Sequence, residues 1–178
     1  MATIRRTLLI EAPVAAVYRL ARSFDQLPAF VPGLGGDSEG ALEARIRAGG
    51  QTLAWRFVLE SAVENAALSF VSEGEPPVQR MDATFVTVLG DATWSTWTID
   101  VACATEDDTA RFLTAVSRAV SDALTAFREE AERRAIREAV EAAAGNMTEA
   151  ARRLGIDRAN LYRKIKRYRL GKDVEGER

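Results

Sequence analysis

An α+β fold, an antiparallel sheet followed by a long helix and then by a small all-α module, is predicted by three observations. Hydrophobicity alternates with period two over roughly the first hundred residues. The period then becomes helical, and no Gly or Pro interrupts the chain between Asp107 and Ala144. A cation-rich segment with the spacing of a helix-turn-helix follows.

Each element has a local reason. Thr7–Ala12 reads as a strand stopped by Pro13, whose missing N–H suits the start of a helix. Val14, Val17, Tyr18, Leu20 and Ala21 form one apolar helical stripe. A second short helix is expected over 24–30, before the Pro32-Gly33 breaker, and the stretch through Gly40 reads as loop. A meander follows. Leu42, Ala44, Ile46 and Ala48 alternate with Glu43, Arg45 and Arg47, and Gly49-Gly50 supplies a hairpin turn. Leu53, Trp55, Phe57 and Leu59 alternate with Thr52, Arg56 and Glu60; further strands are expected over 68–72, 78–89 and 93–103.

Thr105-Glu106-Asp107-Asp108 has the chemistry of a capping box. Phe112, Leu113, Val116, Val120, Leu124, Phe127 and Ala131 then recur with a 3.6-residue period, and Ile136, Val140 and Ala143 can continue the same rod. Unbroken, it would run about 57 Å at 1.5 Å per residue. A break near Arg133-Arg134 is equally allowed.

Composition excludes several chemistries. The 178 residues contain no His and only Cys103, which removes serine–histidine triads, CxxC clusters and intrachain disulfides. No metal site and no cofactor is expected. No apolar run is long enough to span a bilayer, and MATIRRTLLIEAP lacks a signal-peptide layout, so a cytoplasmic protein is expected. Asp25, Asp82 and Asp100 could serve acid–base chemistry, but the sequence supplies no partner for any of them.

The formal net charge of −2 is unevenly spread. Residues 1–134 carry 13 basic and 19 acidic side chains, whereas 135–178 carry 11 and 7. Seven cations and no acid lie within 158–172. An acidic body with a basic terminal module points to an anionic partner for that module.

Residues 136–170 read as three helices. Gly145 ends the first, and Asn146 or Thr148 can cap the second, which buries Ala150, Ala151 and Leu154. Gly155-Ile156-Asp157 forms a tight turn in which Asp157 caps the third helix. There Leu161, Ile165 and Tyr168 share one face, leaving Arg158, Asn160, Arg163, Lys164 and Arg167 largely outside. Such a geometry lays a helix into a major groove.

The run GNMTEAARRLGIDRANLYRKIKRYRL resembles the DNA-binding helix-turn-helix of the factor for inversion stimulation (Fis), also found at the C-termini of nitrogen-regulator-type activators. Gly145-Asn146, Thr148, Ala150-Ala151, Leu154-Gly155-Ile156 and Leu161-Tyr162-Arg163-Lys164 stand in register. The resemblance implies that Arg158 and Asn160 contact base edges, with Arg163 and Lys164 close behind, and that Thr148, Lys166 and Arg167 contact phosphates. Arginine suits guanine and asparagine suits adenine. It also implies a homodimer on double-stranded DNA, with the apolar stripe over 127–140 as the expected dimer contact. Glu149 and Met147 depart from the pattern, the first by adding an acid near the groove.

The order strand, helices, meander, long helix, together with Ala12-Pro13-Val14-Ala15-Ala16-Val17-Tyr18 and the Phe24-Asp25, Pro28, Phe30, Pro32-Gly33 run, resembles the START-like (SRPBCC, polyketide cyclase-like) helix-grip fold. That resemblance implies a hydrophobic cavity between sheet and helix, lined by Trp55, Phe57, Phe70, Phe85, Trp97 and Phe112. For any single one of these aromatics, filling the core is the commoner role. Trp94, on the opposite strand face from Trp97, is expected at the surface or an interface.

The expected organisation is therefore a ligand-binding unit at 1–134, a DNA-binding unit at 135–171 and a tail at 172–178. The function it implies is a one-component transcriptional regulator, not an enzyme, controlled by a small hydrophobic ligand. Two alternatives stay open: a cyclase- or aromatase-like enzyme carrying a DNA-binding module, and a ligand-free dimerisation scaffold.

Overall fold

A computed structural model describes residues 2–36, 41–48, 51–73, 78–88, 92–101 and 106–171. Seven strands, β1 (Ala2–Ile10), β2 (Leu34–Gly36), β3 (Ala41–Ala48), β4 (Gln51–Val63), β5 (Ala67–Ser72), β6 (Val78–Thr87) and β7 (Thr93–Val101), form one antiparallel sheet. Its order is β1-β7-β6-β5-β4-β3-β2, so each strand after the first pairs with its chain neighbour while β1 closes on β7. Register slips between Leu59 and Ser61 and between Val78 and Arg80 add local twist, which curls the sheet into a half-barrel.

Helix α1 (Val14–Ala21) crosses the end of the sheet after β1, and a 3-10 turn follows at Leu27–Ala29. The expected helix over 24–30 is reduced to that turn, because Pro28 suits the first turn of a helix but cannot lie inside one begun at Phe24. The strand β2 lies where a loop was expected. Its Leu34-Gly35-Gly36 carries no alternation, but a Cβ on Gly36 would stand 1.9 Å from the Phe24 carbonyl oxygen. Only glycine lets the chain pass there.

Helix α2 (Glu106–Ala142) is a single rod of 37 residues, about 55 Å long. It passes Arg133-Arg134 without a break. Its N-terminal part packs against the sheet, where Phe112, Val116 and Phe127 are buried. Arg6 of β1 donates to the Ser117 and Ser121 hydroxyls, fastening strand to helix. Thr105 and Cys103 lie outside the described residues.

Two short helices complete the chain, α3 (Met147–Arg153) and α4 (Arg158–Arg167). The turn before α3 uses Ala144 and Gly145 at φ +47° and +80°, and the Gly145 N–H donates to the Val140 carbonyl across the helix end. Asn146 caps α3 by accepting from the Thr148 and Glu149 amides, while Asp157 caps α4 by accepting from the Asn160 amide at 2.8 Å. Gly155, at φ +62°, makes the turn between them. One continuous core runs from Phe70 and Val101 in the sheet, through Ala135 and Ile136 of α2, to Leu154, Leu161, Ile165 and Leu170.

That continuity corrects the expected dimer contact over 127–140. Phe127, Ala131, Ala135, Ile136 and Val140 are 1–5% exposed, because the chain spends this stripe on its own sheet and on α3 and α4.

Candidate functional site

Helix α4 has two faces. Leu161, Lys164, Ile165 and Tyr168 face inward; Arg158, Ala159, Tyr162, Arg163, Lys166, Arg167 and Arg169 face water. Arg158 lies over the Tyr162 ring at 5.4 Å and donates to its hydroxyl at 3.2 Å, which holds the guanidinium at the beginning of the helix. Arg163 donates to Asn160 Oδ1 at 3.1 Å. Arg167 approaches Glu129 of α2 at 3.7 Å, a long contact between exposed groups that leaves the cation available. Lys166 has no ion-pair partner among the described residues. Thr148 stands exposed at the start of α3.

Lys164 is a correction. It was expected on the outer face but is buried, with its ammonium 2.6 Å from Glu132 of α2 and 2.7 Å from Glu11 at the end of β1. Position 164 lies three residues after Leu161 and four before Tyr168, so helix geometry turns it inward whatever its charge. It cannot reach a nucleic acid from there. Asn160 is half-buried, and its amide is engaged by Arg163 on one side and by Glu11 on the other.

Glu132, which the sequence reading did not single out, is the centre of this cluster. Burial alone would raise its carboxyl, but hydrogen bonds from Lys164 and Tyr168, the Lys164 charge and the Glu11 amide outweigh that and hold it below the usual carboxylate range. Tyr168 donates to it at 2.5 Å, and burial together with that carboxylate pushes the phenol well above its ordinary value. The available signal was a lone acid inside an apolar helical stripe, three positions from Glu129.

Glu149, the acid that departs from the family pattern, is held by Arg152 and Arg153 of the next turn. The Arg152 hydrogen bond leads in bringing its carboxyl down to about 2. Its charge is thus matched within α3.

The second region is an apolar cavity of about 120 Å3 between sheet and α2. Trp55, Phe57, Phe70 and Trp97 line it, with Val116, Val120, Leu124 and Phe127 of α2 opposite. Phe85 and Phe112 do not. Phe85 packs edge-on against Tyr18 and Trp97, and Phe112 stacks at a tilt on Trp55, so both are core. Arg45 is the one ionisable residue in the wall among the described residues, and it is paired with Glu43 at 3.0 Å. The three aspartates considered for acid–base work are elsewhere. Asp82 pairs with Arg80, Asp100 accepts from Thr3, and Asp25 is exposed. Trp94 is 43% exposed on the outer sheet face, cross-strand from Leu9 and Val86.

Comparison with known proteins gives a family match for one stretch and a likeness of fold for most of the chain. Residues 127–168 match the family model described as bacterial regulatory protein, Fis family. Among curated proteins no sequence relative is found. Most of the chain is similar in fold to solved structures at low identity. The Zhui aromatase/cyclase from Streptomyces sp. R1128 is 18% identical, with a TM-score of 0.60 over 75% of this chain and 94% of that one. A START superfamily protein from Mycobacterium smegmatis is 15% identical, at 0.54 over 68% and 93%. The Aha1 dimer from Colwellia psychrerythraea is 17% identical, at 0.56 over 74% and 97%. The fold is therefore the START-like helix grip, carrying a Fis-type helix-turn-helix at its C-terminal end. No helix among the described residues is long and apolar enough to cross a membrane.

Proposed function

From the premise of a START-like body continuous with a Fis-type helix-turn-helix, we propose that the chain is a one-component transcriptional regulator. Its α4 would enter the major groove of double-stranded DNA, and its body would hold a small hydrophobic ligand. The observation that carries the DNA reading is the outer face of α4. Arg158, Arg163, Lys166 and Arg167 stand there on a capped helix after a glycine turn, with no acid between Arg158 and Lys172. Arg158 and Arg163 are the base-edge readers; Thr148, Lys166 and Arg167 meet phosphates. Asn160 supports them from the groove edge.

The ligand reading rests on the cavity. Its free volume is that of a single ring, well below the several hundred Å3 of a drug-sized site. A larger molecule would have to move Phe127 or Leu124, and those residues share one rigid rod with Glu132 and the start of the DNA-binding unit. Residues 1–134 are assigned to sensing and 135–171 to DNA, with α2 common to both. The aromatase/cyclase alternative finds less support, since the described cavity wall offers no carboxylate or tyrosine as acid or base.

Action as a homodimer follows from the two-fold use of such modules, and predicts half-sites about 10 base pairs apart. Selecting bound sequences from a random DNA pool with the full chain tests the reading. A two-fold related motif with that spacing is the expected result; a pool with no enrichment would refute it.

A further inference from the structure

The end of β1 reaches the recognition helix. The turn at Glu11 is fixed on three sides. Ala12 N–H donates to the Ile10 carbonyl at 2.8 Å, the buried Thr93 hydroxyl donates to the Ala12 carbonyl at 2.8 Å, and the Glu11 amide donates to Glu132 at 3.1 Å. Pro13 follows and limits the backbone further. The Glu11 carboxylate therefore has a set position, one oxygen 2.7 Å from Lys164 and the other 3.4 Å from Asn160 Nδ2.

The Asn160 amide has one orientation in which both its contacts attract. Its Nδ2 must face the Glu11 carboxylate, which leaves Oδ1 to accept from Arg163 at 3.1 Å. Reversing it would set oxygen against carboxylate and amide N–H against guanidinium. A polar chain thus runs from the buried Glu132 through Lys164 and Glu11 to Asn160, and ends on an exposed arginine of α4.

We propose that Glu11, a residue of the START-like body, is a positioning residue for base readout: through Asn160 it orients the Arg163 guanidinium, so the body takes part in sequence preference. This rests on the DNA-binding reading above. An arginine reads guanine through two parallel hydrogen bonds, and their selectivity depends on the plane of the guanidinium. Glu11 would set that plane without touching DNA.

The test uses the full-length chain and its Glu11→Ala, Glu11→Gln, Asn160→Ala and Arg163→Ala variants. Sequences are selected from a random pool, and affinities for matched and singly mismatched sites are then measured. Arg163→Ala should lose the preference at one base position per half-site, roughly tenfold. Glu11→Ala and Asn160→Ala should lose the same preference at the same position. Glu11→Gln, whose amide oxygen can still accept from Asn160, should keep it within about twofold while binding all DNA more tightly, because a negative charge near the backbone has gone.

Glu11→Ala with the wild-type preference would overturn the proposal. So would a uniform affinity change in both Glu11 variants, which would make Glu11 a charge and nothing more. Should Glu11→Ala fail to fold, the half-buried Asn160→Ala decides by the same readout. Wild-type protein without salt-sensitive DNA binding would instead refute the regulator reading itself, a result distinct from either outcome above.

Discussion

The ammonium of Lys164 and the carboxylate of Glu132 meet at 2.6 Å, with 7% and 5% of their side chains exposed. This pair joins α4 to α2, with Glu11 and the Tyr168 hydroxyl beside it. A buried pair gains little over well-packed apolar residues, but removing one partner strands a charge. The contact therefore fixes where α4 sits against α2.

Glu132→Ala should destabilise the chain by about 3–5 kcal/mol in urea unfolding, since Lys164 keeps only the half-exposed Glu11. The paired change Glu132→Leu with Lys164→Met should cost far less, because both charges leave together. A single-variant loss below about 1 kcal/mol would show that the pair is solvated in practice.

Stability should fall at both ends of the pH scale. The carboxyl of Glu132 is lowered in the folded chain, so its contribution is complete above the unfolded value near 4.3 and is lost as pH falls through the folded one. The Tyr168 phenol is raised, so its contribution is complete below about pH 10 and disappears as pH rises through the folded value. Thermal unfolding from pH 3 to 11 checks this, and Glu132→Gln should flatten the acid limb.

Two aromatic truncations should behave oppositely. Phe70 is 1% exposed and packs edge-on against Phe24, so Phe70→Ala should cost about 3–5 kcal/mol. Trp94 lies at the surface, and Trp94→Ala should stay within about 0.5 kcal/mol in the same denaturant titration.

Most of the sheet was legible because its alternation is a direct consequence of having one buried face. Ala41–Ala48 and Thr93–Val101 appear nearly where the pattern put them. The second strand was not legible, because Leu34-Gly35-Gly36 is shaped by a close approach to Phe24, a fact of tertiary structure. In α4 the spacing was right and the chemistry misleading. Lys164 was assigned to water because it is charged, although its position in the stripe turns it inward toward Glu132. The contact between Glu11 and Asn160 joins residues 149 positions apart, and no local pattern announces such a pair. The cavity was half legible for the same reason: alternation shows which aromatics point inward, but not which of them, such as Phe85 and Phe112, fill their space with neighbouring rings.

Ala123→Leu places a larger side chain in the cavity wall. The variant should fold and bind DNA, and should lose the rise in melting temperature that saturating benzene gives the wild type, since an apolar void of this size takes up such probes. An equal rise in both proteins would place the uptake elsewhere.

A DNA contact through the outer face of α4 displaces counterions from the phosphates. The most direct measurement is the salt dependence of DNA binding, followed by fluorescence anisotropy, for the wild type and for Lys166→Ala and Arg158→Ala. Binding through α4 requires steep weakening with salt, a slope shallower by about one for Lys166→Ala on every sequence, and a loss of sequence preference for Arg158→Ala. Wild-type binding that ignores salt, or that both substitutions leave unchanged, would contradict it.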